Sequence, residues 1–267
     1  FNAFVEAGSY QKPALLRLTT SNRGTDATLY LNESEIYAKM KEVELSQCFD
    51  IVRPASDFAV EGTWDEPIDM MVKYMELVMM DNITDDFRIF PVATDSYDLS
   101  INISGNERSF TFFQLLNEPM SSSGPTAGSA IYDTDRQGRR YNKLLARKAF
   151  TYREGSDDID VPKGYGIAPF LRQSYVLRRV FAYFGYTLRE SLFDTHPEMQ
   201  KIVVLNNTAD AIVNSRLDYS QLIPTGTINN YLETVRKDYG CEFFLSAEHK
   251  YVEVRFWNSL LADKDYI

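Results

Sequence analysis

Histidine is almost missing from this chain, with His196 and His249 the two in 267 residues. Cysteine is equally scarce, at Cys48 and Cys241. Zinc centres draw on several Cys and His ligands at short, regular spacing. Neither histidine has a partner at HExxH or CxxC spacing, so no metal site is expected. Both histidines fall on sequence that reads as turn, His196 before Pro197 and His249 in a hairpin loop. Two distant cysteines do not make the disulfide framework of a small secreted domain. Each lies near an aromatic residue, Cys48 beside Phe49 and Cys241 close to Phe243, so buried free thiols are expected. No run of about 18 apolar residues occurs, and no membrane-spanning helix is expected. Positive charge is in deficit, 28 Lys and Arg against 38 Asp and Glu, for a net charge of −10. A chain of that sign repels polyanions, which argues against nucleic acid as the main partner.

Catalytic signatures are missing as well. There is no G-x-S-x-G elbow, and Gly164-Tyr165-Gly166 lacks the third glycine and strand-to-helix setting of a phosphate cradle. Asp133 to Gly138 starts like a calcium loop, but Gln137 occupies its fifth place and Leu144 its twelfth, where a bidentate Glu is required. The acidic pairs Asp85-Asp86 and Asp157-Asp158 read as solvated loop residues rather than a glycosidase pair. The densest basic run, Arg136, Arg139, Arg140, Lys143, Arg147 and Lys148, reads as a solvated face, balanced by Glu154, Asp157, Asp158 and Asp160. The chain is therefore expected not to be an enzyme, with no catalytic, cofactor-binding or metal residues and no cofactor. It starts at Phe1, which leaves a processed leader open.

Aromatic residues, by contrast, are plentiful, with 17 Tyr and 17 Phe. They favour pleated, half-buried surfaces and protein contacts. Strands are expected at Ala14–Thr20, followed by a turn at Ser21–Gly24, and at Ala27–Leu31, Val43–Val52, Phe87–Ala93, Leu99–Ile103 and Phe110–Leu116. One helix is expected near 66–80. Asp65 or Glu66 caps it, Pro67 suits its first turn, and Ile68, Met71, Val72, Met75, Val78 and Met79 form a core-facing stripe. Asn117–Gly128, rich in Ser, Gly and Pro, reads as a mobile loop with few side chains to bury. The turn-rich Gly155–Gly166 divides a strand-rich region, 1–160, from a helix-bearing region, 161–267. The expected class is α+β, with barrel-like or sandwich-like β-rich subdomains and packed helices.

Region 161–267 contains an internal repeat at an offset of 55 residues. Ser174–Leu188 aligns with Asn229–Phe243. Leu177 matches Leu232, Val180 matches Val235, Phe184 matches Tyr239, Gly185 matches Gly240 and Leu188 matches Phe243. The first three pairs fall at i, i+3 and i+7, one face of a helix. Each glycine sits where a chain leaving a helix adopts a left-handed conformation. The pattern then alternates as a strand, and copy two continues through Ser246–Lys250 into a hairpin with Tyr251–Trp257. Pro224 discourages helix before it, and Thr225 or Thr227 can cap the helix that follows. Copy one has a comparable entry at Ala168-Pro169-Phe170.

Leu222–Trp257, with its Leu-Ile-Pro, capping Thr, apolar helix, aromatic-Gly pair and hairpin, resembles hub proteins of phage tails, and is similar to the base of type VI secretion spikes. Ile167–Leu261 also looks like prophage-type proteins of gut Bacteroidetes through its blocks APFLRQSYVLRRVFAYFGY and LNNTADAIV. The resemblance covers roughly the last 100 residues and is one of style over the N-terminal half. It implies a non-catalytic structural role in joining tail tube to spike, as part of a virion or injection particle made in the bacterial cytoplasm. It also implies protein partners, namely other tail-like proteins and further copies of this chain, as a homo-oligomer such as a trimer. The residues it singles out are structural: Gly185, Gly240, Leu177, Leu232, Val180, Val235, Phe184, Tyr239 and Pro224. The other reading is a carbohydrate- or surface-binding module using Trp64 and Trp257, although both tryptophans are expected to pack in the core.

Overall fold

The computed structural model describes every residue except 1, 8–9, 22–23, 94–96, 104–105, 113–114, 121–131, 135–139, 146–148, 155–156 and 259–267. In chain order it begins with β1 (Asn2–Ala7), β2 (Tyr10–Ser21), β3 (Gly24–Leu31), α1 (Asn32–Glu42), β4 (Val52–Pro54) and α2 (Pro67–Met79). Then come β5 (Phe87–Arg88), β6 (Val92–Ala93), β7 (Tyr97–Ile103), β8 (Asn106–Phe112), β9 (Leu115–Leu116), β10 (Tyr132–Thr134) and β11 (Arg140–Asn142). The remainder is β12 (Phe150–Glu154), β13 (Asp157–Val161), β14 (Phe170–Arg172), α3 (Gln173–Tyr183), β15 (Thr187–Leu188), α4 (Leu192–Thr195), β16 (Val203–Val204), β17 (Arg216–Asp218), α5 (Ile228–Tyr239), β18 (Cys241–Ser246) and β19 (Tyr251–Phe256). The class is α+β, built from several small, mostly antiparallel sheets, and among the described residues none closes into a barrel.

Two compact units share the chain, and each is assembled from separated segments. Unit 1 comprises Phe1–Cys48, Val176–Gln200 and Thr225–Ile267, and unit 2 comprises Phe49–Tyr175 and Lys201–Pro224. This partition does not follow the expected break at 160/161. The turn-rich segment read there holds β13, which pairs with β12. Val161, the last residue of β13, and Tyr165 enter a buried cluster with Leu116, Ala168, Phe170 and Ala209.

Unit 2 is organised around α2. Glu66 caps that helix in a reciprocal capping box with Asp69, and Pro67 starts it. Met71, Val72, Met75 and Val78 are buried along its inner face as the spacing predicts. Lys163 Nζ reaches Glu66 and Asp69 at 2.9 and 2.7 Å, clamping the capped end. The expected strand Phe87–Ala93 is broken into β5 and β6. β5 pairs with β14, whose other neighbour is β16, and β6 pairs with β9.

Three segments differ in kind from the sequence reading, the first being α1 (Asn32–Glu42), a second helix in the region where one, near 66–80, is expected. Val43–Val52 is mainly a 3-10 turn at Leu45–Phe49, with strand only from Val52. Its buried residues Leu45, Cys48 and Phe49 recur at helical rather than alternating spacing. The described part of the expected mobile loop, Asn117–Met120, is ordered, with Asn117 and Met120 buried. The rest of that loop lies outside the described residues, as do the centre of the turn Ser21–Gly24, most of the basic run and the middle of the calcium-like segment.

Candidate functional site

Apart from Gln173–Tyr175, the first three residues of α3, the two helix–glycine–strand units lie in unit 1. Helices α3 and α5 begin at Gln173 and Ile228, the 55-residue offset read from the sequence. Leu177, Val180, Leu232 and Val235 are buried, and Phe184 and Tyr239 are half-buried. Both glycines are left-handed, with φ of +76° at Gly185 and +59° at Gly240. Their exits differ. After α3, Tyr186 N–H donates to Phe181 O at 3.0 Å and Gly185 N–H to Ala182 O at 2.9 Å, the paired bonds of a Schellman ending. After α5, Gly240 N–H donates to Arg236 O, the simpler left-handed cap. At the other end of α5, Thr227 caps by accepting from Asn230 N–H at 3.3 Å.

The strands after the two glycines meet in one sheet of order β15-β19-β18, not in two subdomains. β19 is shared: β15 runs parallel to it and β18 antiparallel. One face of the hairpin carries buried Cys241, Phe243, Leu245, Val252 and Val254. Phe181 of α3 lies 5.4 Å from Phe243, and Phe193 of α4 lies 5.3 Å from Tyr239 and 5.6 Å from Phe256. Pro224 is not part of this arrangement: it is exposed and is the last residue of unit 2.

Glu242, Phe244, Tyr251, Glu253 and Arg255 occupy the outer face. Arg255 is paired with Glu253 at 2.9 Å and lies 5.3 Å from the Phe244 ring. Arg189 stacks on Tyr251 at 3.5 Å. Phe244 is 43% exposed and Trp257 51% exposed. Core packing, expected for both tryptophans, fails for Trp257 and holds in part for Trp64, which is half-buried with its indole N–H on Val60 O at 3.1 Å.

In unit 2 the most concentrated polar cluster centres on Asp85. Arg53 Nη1 donates to both carboxylate oxygens, at 2.8 and 3.0 Å, and to the Tyr219 hydroxyl at 2.8 Å. Tyr74 donates to Asp85 Oδ2 at 2.7 Å and Asp86 N–H to Oδ1 at 2.7 Å. Arg172 Nε donates to the Asp85 carbonyl at 2.7 Å, and Arg53 also stacks on Phe58 at 4.4 Å. The Asp85 side chain is 7% exposed, which corrects the reading of it as a solvated acid. Each of its carboxylate oxygens accepts two hydrogen bonds, so the geometry holds β4, α2 and the Tyr219 turn together and offers no open base. No sequence signal could have found it, because residues 53, 74, 85 and 219 meet only through the fold.

A second buried connector is Asn117, left-handed at φ +55° and fully enclosed. Its Nδ2 donates to Phe90 O at 3.0 Å and Ala168 O at 2.9 Å, while its Oδ1 accepts from Ala168 N–H at 2.9 Å. Asn tolerates the left-handed region better than most residues, which was the one clue to it in the sequence.

The shifted thiols and tyrosines move away from neutral pH, where acid–base and thiolate chemistry operates, whereas burial raises Glu118 and lowers Arg172 from their ordinary values. Burial pushes the Cys48 and Cys241 thiols up to about 11. Burial, then the hydrogen bond to Asp85, pushes Tyr74 up to about 12, and burial with nearby Asp210 does the same for Tyr165. Such thiols are protonated and inert at neutral pH. Among the described residues no three His, Cys, Asp or Glu converge as a possible metal set, and no helix is long and apolar enough to cross a membrane. His196 and His249 are exposed beyond α4 and in the β18–β19 turn. Comparison of the chain with protein-family models, curated proteins and solved structures finds no match.

Proposed function

We propose that this chain is a non-catalytic structural assembly protein of the phage tail hub or baseplate kind, joining tail tube and spike. One observation carries the reading: the two helix–glycine–strand units, 55 residues apart in sequence, deliver their strands to either side of one shared strand. The resemblance of Leu222–Trp257 to hub proteins rests on the same residues. A role in scaffolding also accords with cysteines and tyrosines whose protons are held by burial. On this reading the partners are further copies, as a ring such as a trimer, and other tail-like proteins, and the site of action is a virion or injection particle. On this reading the neighbouring genes encode tube and spike proteins, and the test is co-expression with those proteins followed by affinity purification and electron microscopy. Joint purification as rings supports the proposal; a chain that stays apart from both proteins overturns it.

The exposure of Trp257 and Phe244 favours a second reading, a carbohydrate- or surface-binding module. Glycan-array binding that is abolished by Trp257→Ala would select it.

A further inference from the structure

We infer that the Arg236–Glu242 ion pair closes the outer edge of β18 against strand addition, a guard that keeps copies of this chain from joining through that edge. The inference goes beyond the proposed function and is independent of it, since it concerns one strand of unit 1 whatever the chain assembles with.

In the sheet β15-β19-β18, β18 is an outer strand, and among the described residues β19 is its one strand partner. The hydrogen-bond register fixes which of its backbone groups face outward. Trp257 N–H donates to Gly240 O at 2.8 Å, so 240 and 257 are a hydrogen-bonded pair. In an antiparallel ladder such pairs alternate with non-bonded ones. Glu242, Phe244 and Ser246 therefore bond to β19, at Arg255, Glu253 and Tyr251. The N–H and C=O groups of Cys241, Phe243 and Leu245 point the other way. The opposite edge of β19 gives the same parity, since Thr187 and Arg189 N–H donate to Lys250 O and Val252 O. Among the described residues no backbone group pairs with the three outward positions of β18.

Such a row of donors and acceptors is a template for another strand. The sequence of β18 suits that use. Cys241–Ser246 reads CEFFLS, five uncharged residues, two of them aromatic, around one charge, Glu242. Short segments of high β-propensity and low charge are the ones that add strand to strand. The edge is also its own complement. An antiparallel copy centred on Phe243 sets 243 opposite 243 and 241 opposite 245. Directly opposite residues share a face, so the buried side chains of Cys241, Phe243 and Leu245 stay on one side.

Glu242 stands in the middle of this row. Its Oε1 accepts from Phe243 N–H at 3.2 Å, which takes the central outward donor. Arg236 Nε of α5 lies 2.7 Å from the same oxygen. The Arg236 guanidinium is 5.6 Å from the Phe243 ring and 5.9 Å from the ring of Tyr37 on α1, within cation–aromatic range of both. A cation anchored on two rings thus holds the carboxylate against the edge. An incoming strand needs the Phe243 N–H for its own carbonyl. It finds that donor taken, and its carbonyl faces a carboxylate, acceptor against acceptor.

The test compares Glu242→Ala with Glu253→Ala in the full chain. Both remove one acid from the same face of the hairpin, so net charge changes alike. Light scattering over a concentration series reads association, and amide hydrogen exchange reads the edge. Glu242→Ala should associate at least about 10-fold more strongly than wild type. Its Phe243 amide should exchange about fivefold faster in dilute solution, and protection should return at Cys241, Phe243 and Leu245 as concentration rises. Glu253→Ala should match wild type in both readouts. Glu242→Gln, nearly isosteric, carries the test where Glu242→Ala does not fold. It loses the Arg236 ion pair and should associate about twofold to threefold more strongly than wild type. Glu242 variants that associate no more than wild type overturn the guard. An equal gain for Glu253→Ala also overturns it, because net charge then explains the effect. A gain without protection at the three outward positions overturns it too, because another surface then makes the contact.

Discussion

Asn117→Asp separates charge from shape at a fully buried position. The two side chains are nearly isosteric, and Asp also tolerates the left-handed backbone at φ +55°. In the wild type, Nδ2 serves Phe90 O and Ala168 O while Oδ1 serves Ala168 N–H. The substitution keeps the last of these and replaces the donor by a carboxylate oxygen facing two carbonyls. Two buried acceptors lose their donor at about 1–3 kcal/mol each, so the expected loss is about 4 kcal/mol at neutral pH. Protonation relieves part of it, because a neutral acid can donate to one carbonyl. The pKa of the new group in the folded protein is therefore raised above its unfolded value of about 3.9. With that sign, the deficit is smallest below the unfolded value, grows as pH rises through the raised folded value, and is then constant. Urea titrations of both proteins at about pH 3.5 and between about pH 6 and 8 avoid the solubility minimum near the pI of 4.8. A difference below about 0.5 kcal/mol at neutral pH, the range of ordinary surface changes, or one that does not vary with pH, would refute the reasoning.

Gly185→Ala and Gly240→Ala test the helix exits: a Cβ at Gly185 meets nothing within 4 Å and one at Gly240 meets Trp257 at an ordinary 3.6 Å. Backbone strain alone should then cost about 1–2 kcal/mol each in urea unfolding, and Gly185→Asn should cost less than Gly185→Ala; the reverse order would count against left-handed exits. Arg53→Met leaves the enclosed Asp85 carboxylate without its cation and should destabilise by about 3–5 kcal/mol. Adding Asp85→Leu should recover part of that loss, and additive losses in the double-mutant cycle would deny the pairing. The thiols of Cys48 and Cys241, raised to about 11 from an ordinary 9, contribute stability that is complete below pH 9 and disappears as pH rises to 11. Folded protein should accordingly resist thiol reagents at pH 8 and react at both positions in urea; prompt labelling of folded protein would contradict the burial.

Local signals determined a good deal here. The capped, proline-started helix α2 and its Met stripe were legible because caps and 3.6-residue spacing act within a few residues of chain. The same holds for the repeat: Gly185 and Gly240 can be found from sequence because a helix exit demands a left-handed residue wherever it occurs. Tertiary structure decided what these pieces join. That β15 and β18 flank the same strand depends on which backbone edges meet, and strand propensity carries no information about partners. Polar Asp85 and Asn117 read as loop residues because their sequence neighbours are polar. They are buried because Arg53, Tyr74 and Tyr219, or Phe90 and Ala168, arrive from distant segments with matching donors and acceptors.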